Sequence, residues 1–247
     1  MSTLTFQFYG INNYAQMLSD SVLGTSIVVT LTYALISVIG SILLALGISL
    51  LLFRPIGINT LARTIILLPF VVAPVVNGVI WRMMLFPGTG LISQMLQPFG
   101  LGNAAWLGTG AALYVVAFVD VWMGTPIVVL MLLAGLKSLP TDPIEAARID
   151  GASDWQIIRY VTIPLLMPIL AFAIIWRTIW SIKAFDLIYI MTLGGPGYLT
   201  TSMYIWTWDQ GFIAFNVGYA ASLAILILAV NLVLTGGMIK LSTKGGN

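Results

Sequence analysis

The sequence predicts an all-α polytopic membrane protein with five transmembrane helices. Three observations carry that prediction. Of the 247 residues, 60% are hydrophobic and 7% charged, with mean hydropathy +1.04; a soluble domain carries about 25% charged residues. Apolar segments long enough to cross a bilayer recur from Val22 to Ile239. Arg54, Arg63, Lys137, Arg148, Arg159, Lys240 and Lys244 all fall in one alternate set of connecting segments, and the other set holds no Lys or Arg. That bias marks cytoplasmic loops. Cysteine and histidine are absent, which excludes disulfides, thiolate or imidazole metal sites, thiol nucleophiles and histidine catalysis. A net charge of +2 gives no reason to expect nucleic acid as a partner.

Residues 1–21 are polar and aromatic without Lys or Arg, neither a signal peptide nor a span. They are read as an extracytoplasmic segment ahead of a single transmembrane domain, 22–247. Val22–Phe53 is the first span, about 48 Å if wholly helical, longer than a ~30 Å hydrocarbon core. It has to tilt or protrude, and Gly40, Ser41, Ala45, Gly47 and Ser49 suit close helix packing in its second half. Leu61–Leu85 is the second span, with Pro69 and Pro74 inside it and Asn77, Trp81 and Arg82 toward its outer end. Residues 86–108 form an uncharged outer loop, with a short interfacial helix expected near Leu91–Leu96. Gly110–Leu136 is the third span and carries Asp120. Ile163 to about Leu193 is the fourth, with Trp176, Arg177, Trp180, Lys183 and Asp186. A Gly- and aromatic-rich outer loop follows, and Val217–Ile239 is the last span.

Between the third and fourth spans lies the one long polar stretch, the connecting loop 137–162 running into Pro168. It holds Asp142, Glu145, Arg148, Asp150, Asp154 and Arg159. Thr141 or Asp142 can cap a helix whose first turn holds Pro143 and Glu145. Gly151 then permits a bend, and Ser153 offers a second N-cap. The pattern predicts two short helices forming a knob on the cytoplasmic face.

This stretch resembles the cytoplasmic loop of ABC importer permeases, which reads Glu-Ala-Ala, three residues, Gly, nine residues, then Ile-x-Leu-Pro. Glu145-Ala146-Ala147, Gly151 and Val161-Thr162-Ile163-Pro164 occupy those positions, and the words ARIDGAS and PLLMP resemble the carbohydrate branch. Phe8, Gly10, Ile11, Asn13 and Tyr14 are similar to a phrase that the family places outside the membrane after its first span. That first span is missing here, so the reading expects a truncated chain. Phe185-Asp186-Leu187-Ile188-Tyr189, Thr192, Gly194-Gly195-Pro196 and Thr200 resemble the phrase after the fourth span in maltose-type sugar permeases. Trp206–Phe212 and Gly218-Tyr219-Ala220-Ala221-Ser222 continue the match.

The resemblance implies a permease subunit of an ATP-driven importer for sugars in a bacterial or archaeal cytoplasmic membrane. Its partners would be a second homologous permease, two ATPase subunits and an extracytoplasmic solute-binding protein. Glu145, Ala146, Ala147, Asp150 and Gly151 would couple to the ATPase, and Gly194, Gly195, Pro196 and Thr200 would contact the binding protein. ATP and Mg would sit on the partner ATPase subunits; no Walker-type Gly-x-x-x-x-Gly-Lys-Ser/Thr occurs in this chain.

Ionisable groups inside a bilayer need partners or water. Helical rise places Asp120 and Arg177 both near the midplane, so an Asp120–Arg177 ion pair is expected. Lys183 and Asp186, three apart, are expected on one helix face. Asn77, Asp120, Trp176, Arg177, Trp180, Asp186 and Tyr189 are the candidate translocation path, offering hydrogen bonds and aromatic faces to a neutral sugar. Trp81, Tyr204, Trp206 and Trp208 are read as interfacial anchors. Two alternatives stay open: an importer for polyol, glycerol phosphate or polyamine, and an ion-coupled secondary transporter using midplane carboxylates and broken helices.

Overall fold

The computed structural model describes residues 11–53 and 59–244. Phe8 and Gly10 of the outer phrase, and Arg54, lie outside the described residues. Every regular element among them is helical. Four helices are long and apolar enough to cross a membrane, and a bent pair makes up to five.

A short helix α1 (Asn12–Ser19) leads into α2 (Ser21–Phe53), the first span. Asp20 sits between them and caps α2, its Oδ1 accepting from the N–H groups of Val22 at 2.9 Å and Leu23 at 3.1 Å. One face of α2 buries Ser26, Thr30, Ser37, Ser41, Ala45 and Ser49. Small side chains there let α2 pack along α6 (Ala112–Ser138), its most extensive partner. At Gly40 a Cβ would lie 2.7 Å from Val121 Cγ2, so the α2 backbone rests against the Val121 side chain of α6 with no room for a Cβ unless the valine shifts.

The second span is not one helix. α3 (Asn59–Val71) and α4 (Pro74–Met84) meet at 98°. Pro74 lacks an N–H and pushes the preceding Ala73 into extended backbone, so the first helix stops and a second starts. Asn77 then repairs the break: its Nδ2 donates to the carbonyls of Pro69 and Val72, each at 3.1 Å. Freed carbonyls inside a membrane require such a partner.

The fourth span departs from expectation at both ends. It begins at α8 (Asp154–Ile157), passes through a π-helical turn (Ile158–Thr162) and continues as α9 (Ile163–Ile182). After Ile182 the helix breaks, and a separate helix α10 (Asp186–Thr192) follows, burying Leu187, Ile188 and Met191 and packing against α4 and α6. Lys183 and Asp186 therefore flank a break and do not share a helix face. The packing of α10 overrides the apolar continuity of the sequence.

Ahead of α8, α7 (Asp142–Ile149) is joined through Gly151, whose φ of +81° is glycine's. Ser153 and Gln156 form a reciprocal capping box at α8. On the opposite end of the molecule lie α5 (Leu91–Leu96) with a 3-10 turn (Gln97–Phe99), and α11 (Met203–Trp208) with a π turn (Asp209–Ile213). The last span is α12 (Val217–Lys244). Val28, Leu31, Leu35 and Leu43 of α2 and Leu228, Leu232 and Val233 of α12 face outward, an apolar surface suited to lipid or to another membrane chain.

Candidate functional site

The centre of the molecule is held by a buried ion pair. Arg177 of α9 reaches α6, where its Nη2 pairs with Asp120 Oδ2 and donates to the Asp120 carbonyl at 3.1 Å. Its Nε donates to Ser41 Oγ of α2 at 3.0 Å. Arg177 and Asp120 are 0% and 2% exposed, so neither charge could persist unpaired. One guanidinium thereby ties three spans together. Gly124 makes room for it, since a Cβ there would lie 2.7 Å from Arg177 Cζ. Among the described residues Arg177 Nη1, Tyr33 Oη and Ser37 Oγ are buried without a hydrogen-bond partner. Ser41 was legible only as a small packing residue, and Tyr33 carried no sequence signal beyond its apolar setting.

Beside this node is a cavity of about 340 Å³ lined by Tyr33, Asp120, Trp176, Trp180, Lys183 and Asp186, among others. Trp176 and Trp180 stack with ring centroids 5.4 Å apart. A smaller cavity of about 180 Å³ lies at the α3–α4 break, shares Pro74, Met123 and both tryptophans with the first, and is also lined by Arg177. Lys183 and Phe185 also line a broad groove of about 850 Å³ between α9, α11 and α12. Phe185 stacks on Tyr189 at 5.1 Å; Tyr189 meets Trp208 edge-on at 4.8 Å, and Trp208 stacks on Phe212 at 6.2 Å. These rings run from the cavity along the groove.

The structure thus gathers Asp120, Trp176, Arg177, Trp180 and Asp186 at one place, with Tyr189 reached through Phe185. Asn77 lies apart, 3% exposed and committed to the α3–α4 break. Trp81 packs edge-on against Phe118 and Trp122. Trp208, read from sequence as an anchor, belongs to the row of rings.

At the other end of α9 the knob is open to solvent. Glu145, Ala146, Asp150 and Gly151 are exposed, and Ala147 is half-buried. Ile149, Trp155 and Tyr160 are large apolar side chains left exposed beside them. Asp150, Gly151, Gln156 and Tyr160 line a surface depression.

The loop after α10 is built on glycine and threonine. Gly194 has φ +84° and leaves space for Thr201, whose Oγ1 donates to the Gly194 carbonyl at 2.9 Å. Thr200 Oγ1 donates to the Gly195 carbonyl at 2.8 Å. Thr200 and Gly194 are internal supports, Gly195 and Pro196 are half-buried, and Tyr198 and Leu199 form the exposed crest. Nearby, Asp20 Oδ2 accepts from Trp206 Nε1 at 2.9 Å and Tyr219 Oη at 2.5 Å. Burial pushes the Asp20 carboxyl up, but hydrogen bonds from Tyr219, Leu23, Trp206 and Val22 outweigh it and hold it below the ordinary value. Burial alone raises Asp209.

Comparisons with known proteins agree with this architecture. The trehalose/maltose transport system permease protein MalF of Thermococcus litoralis is 37% identical over 230 residues, covering 92% of this chain and 77% of that one. The trehalose transport system permease protein SugA of Mycobacterium tuberculosis is 34% identical over 234 residues, covering 95% and 75%. A chain in the crystal structure of a bacterial alginate ABC transporter, in complex with an alginate pentasaccharide-bound periplasmic protein, superposes with TM-score 0.87 at 21% identity, covering 96% of this chain and 84% of that chain. The family model described as binding-protein-dependent transport system inner membrane component matches residues 56–240. With three spans pinned by one buried arginine and a polar two-helix knob beneath them, this chain belongs to that family of inner membrane transport components.

Proposed function

We propose that this chain is the permease subunit of an ATP-driven importer for neutral sugars or oligosaccharides, forming half of the translocation path. The observation that carries the reading is the exposed knob of α7 and α8. It presents Glu145, Asp150 and Gly151 with Ile149 and Trp155 at the end of an uninterrupted span. A polar-rimmed apolar patch of this kind suits a cleft on an ATPase subunit. The knob and the loops carrying Lys137, Arg148 and Arg159 face the cytoplasm, as does the end of α12; ATP and Mg belong to the ATPase partners. A second homologous permease, two ATPase subunits and an extracytoplasmic solute-binding protein complete the assembly, the last meeting the crest at Tyr198 and Leu199.

The cargo reading rests on the cavity. Sugars bind through hydroxyl hydrogen bonds and through ring faces stacked on aromatics, and Trp176, Trp180, Lys183 and Asp186 supply both. Asp120 and Arg177 neutralise each other, so the midplane presents no net charge to a solute. The relatives named for trehalose and maltose favour the same class. Co-purification and uptake test the two halves. Glu145→Ala with Gly151→Pro is expected to lose the ATPase subunit from detergent-solubilised complexes. Trp180→Ala is expected to retain it while reducing maltose or trehalose uptake into ATP-loaded proteoliposomes. If the knob variants co-purify undiminished, the coupling role is wrong.

A further inference from the structure

The geometry points to Trp176 and Trp180 as a barrier that closes the solute path at mid-depth; the inference rests on the path proposed above and adds the place where it shuts. The cavities of about 340 and 180 Å³ lie in series along the molecule. On α6 only the first touches Asp120 and only the second touches Gly124, one turn nearer the knob. On α9, away from the knob, only the first continues beyond Trp180, to Lys183. Both cavities are walled by Trp176, Trp180, Pro74 and Met123, so these four side chains form the partition between them. The first cavity has the volume of an ordinary ligand pocket, about 300 Å³ and above, and the second falls short of it. A sugar held in the first passes to the second only if the partition moves.

The two indoles are placed as a barrier rather than as core. They stand four residues apart on one face of α9, with ring planes within 20° of parallel. Among the described residues neither belongs to a buried apolar cluster, and Trp180 is 44% exposed. The facing wall is unequal. Pro74 starts α4 at the break that Asn77 holds, whereas Met123 is unbranched and changes rotamer readily. Stacked rings separate at little cost; the Asp120–Arg177 pair beside them does not. The barrier therefore opens without breaking the node that ties three spans together. A pyranose face that stacks on either indole replaces the contact the rings give up. Opening thus favours a solute with apolar ring faces over a wholly polar one of equal size.

The chain contains no cysteine, so a single introduced thiol reports alone. Val72→Cys places one in the second cavity and Ile179→Cys one in the first. Ala117→Cys, at a position 0% exposed, is the buried control. The full chain is expressed with its co-purifying subunits, and membrane-impermeant methanethiosulfonate ethylsulfonate is applied outside right-side-out vesicles. Ile179→Cys is expected to label readily and Val72→Cys slowly. With the open form a minor state of about 10% or less, Trp180→Ala should speed labelling of Val72→Cys about tenfold or more. Labelling of Ile179→Cys and Ala117→Cys should not change. Trp180→Phe keeps a ring and should restore much of the protection. Equal rates at Val72→Cys with and without Trp180 overturn the proposal. So does labelling of Ala117→Cys in the Trp180→Ala background, which reads as general loosening of the fold. Unreactive Ile179→Cys in the parent overturns the path itself and the barrier with it, a failure of the importer reading that the other outcomes do not touch.

Discussion

Gly124 lies directly against the Arg177 guanidinium, with the position of its absent Cβ 2.7 Å from Cζ and 2.8 Å from Nη2. The glycine is thus part of the ion pair, since any side chain there would displace the arginine from Asp120 and Ser41. Gly124→Ala is expected to destabilise the protein by about 1–3 kcal/mol through overpacking, and thermal unfolding in nanodiscs reads the loss. An unchanged midpoint would mean that Arg177 can move away without cost.

Neutralising one member of the Asp120–Arg177 pair leaves the other charge buried alone. Asp120→Asn and Arg177→Gln are each expected to cost about 3–5 kcal/mol. The double variant should recover a large part of that cost. A double variant as damaged as either single one shows that the two charges are not paired to each other in the membrane.

Asn77 carries two carbonyls of the α3–α4 break on one amide. Asn77→Leu leaves Pro69 and Val72 oxygens without their donor, at a cost of about 1–3 kcal/mol. Proteolysis or hydrogen exchange confined to residues 64–84 checks that the damage is local. Equal exchange in parent and variant would show that the break holds without the amide.

Asp20 links the start of α2 to Trp206 and Tyr219. A carboxyl held below its ordinary value contributes stability that is present above the unfolded pKa, about 3.9, and lost as the pH falls through the lower folded value. Asp20→Asn is therefore expected to lower the unfolding midpoint at neutral pH. The gap between parent and variant should narrow as the pH is taken below that of an ordinary carboxylate. A gap constant with pH would mean that the charge contributes nothing and only the acceptor geometry matters.

The spans were legible where hydropathy alone decides them. α2, α6 and α12 begin within two residues of the positions expected, and Gly151 and Ser153 delivered the two-helix knob because turn and cap chemistry is local. Asp120 and Arg177 were paired correctly because helical rise converts sequence position into depth. The breaks were harder to read. Pro69 and Pro74 signalled interruption but not its 98° angle, which depends on what α4 packs against. Nothing in Ile182-Lys183-Ala184-Phe185 marks a helix end; long-range burial of Leu187 and Ile188 sets it. Ser41, Trp208 and the Asp20 cluster were missed for a related reason. Their partners lie far away along the chain, and a serine in an apolar span looks the same whether it packs or accepts a hydrogen bond.

The π-helical turn at Ile158–Thr162 joins α8 to α9 without a break in the helix. Asp154–Ile182 is consequently a rod of 29 residues, about 44 Å long. One end carries the exposed knob and the other stops at Lys183, on the wall of the sugar-sized cavity. A rod of that length behaves as a lever. Pivoting about its middle, near Pro168, a tilt of about 5° at the knob moves the far end about 2 Å. That displacement is comparable to the difference between a hydrogen bond made and one broken. A motion at the knob too small to disturb the packing of any single helix turn is therefore large enough to reshape the wall of the cavity.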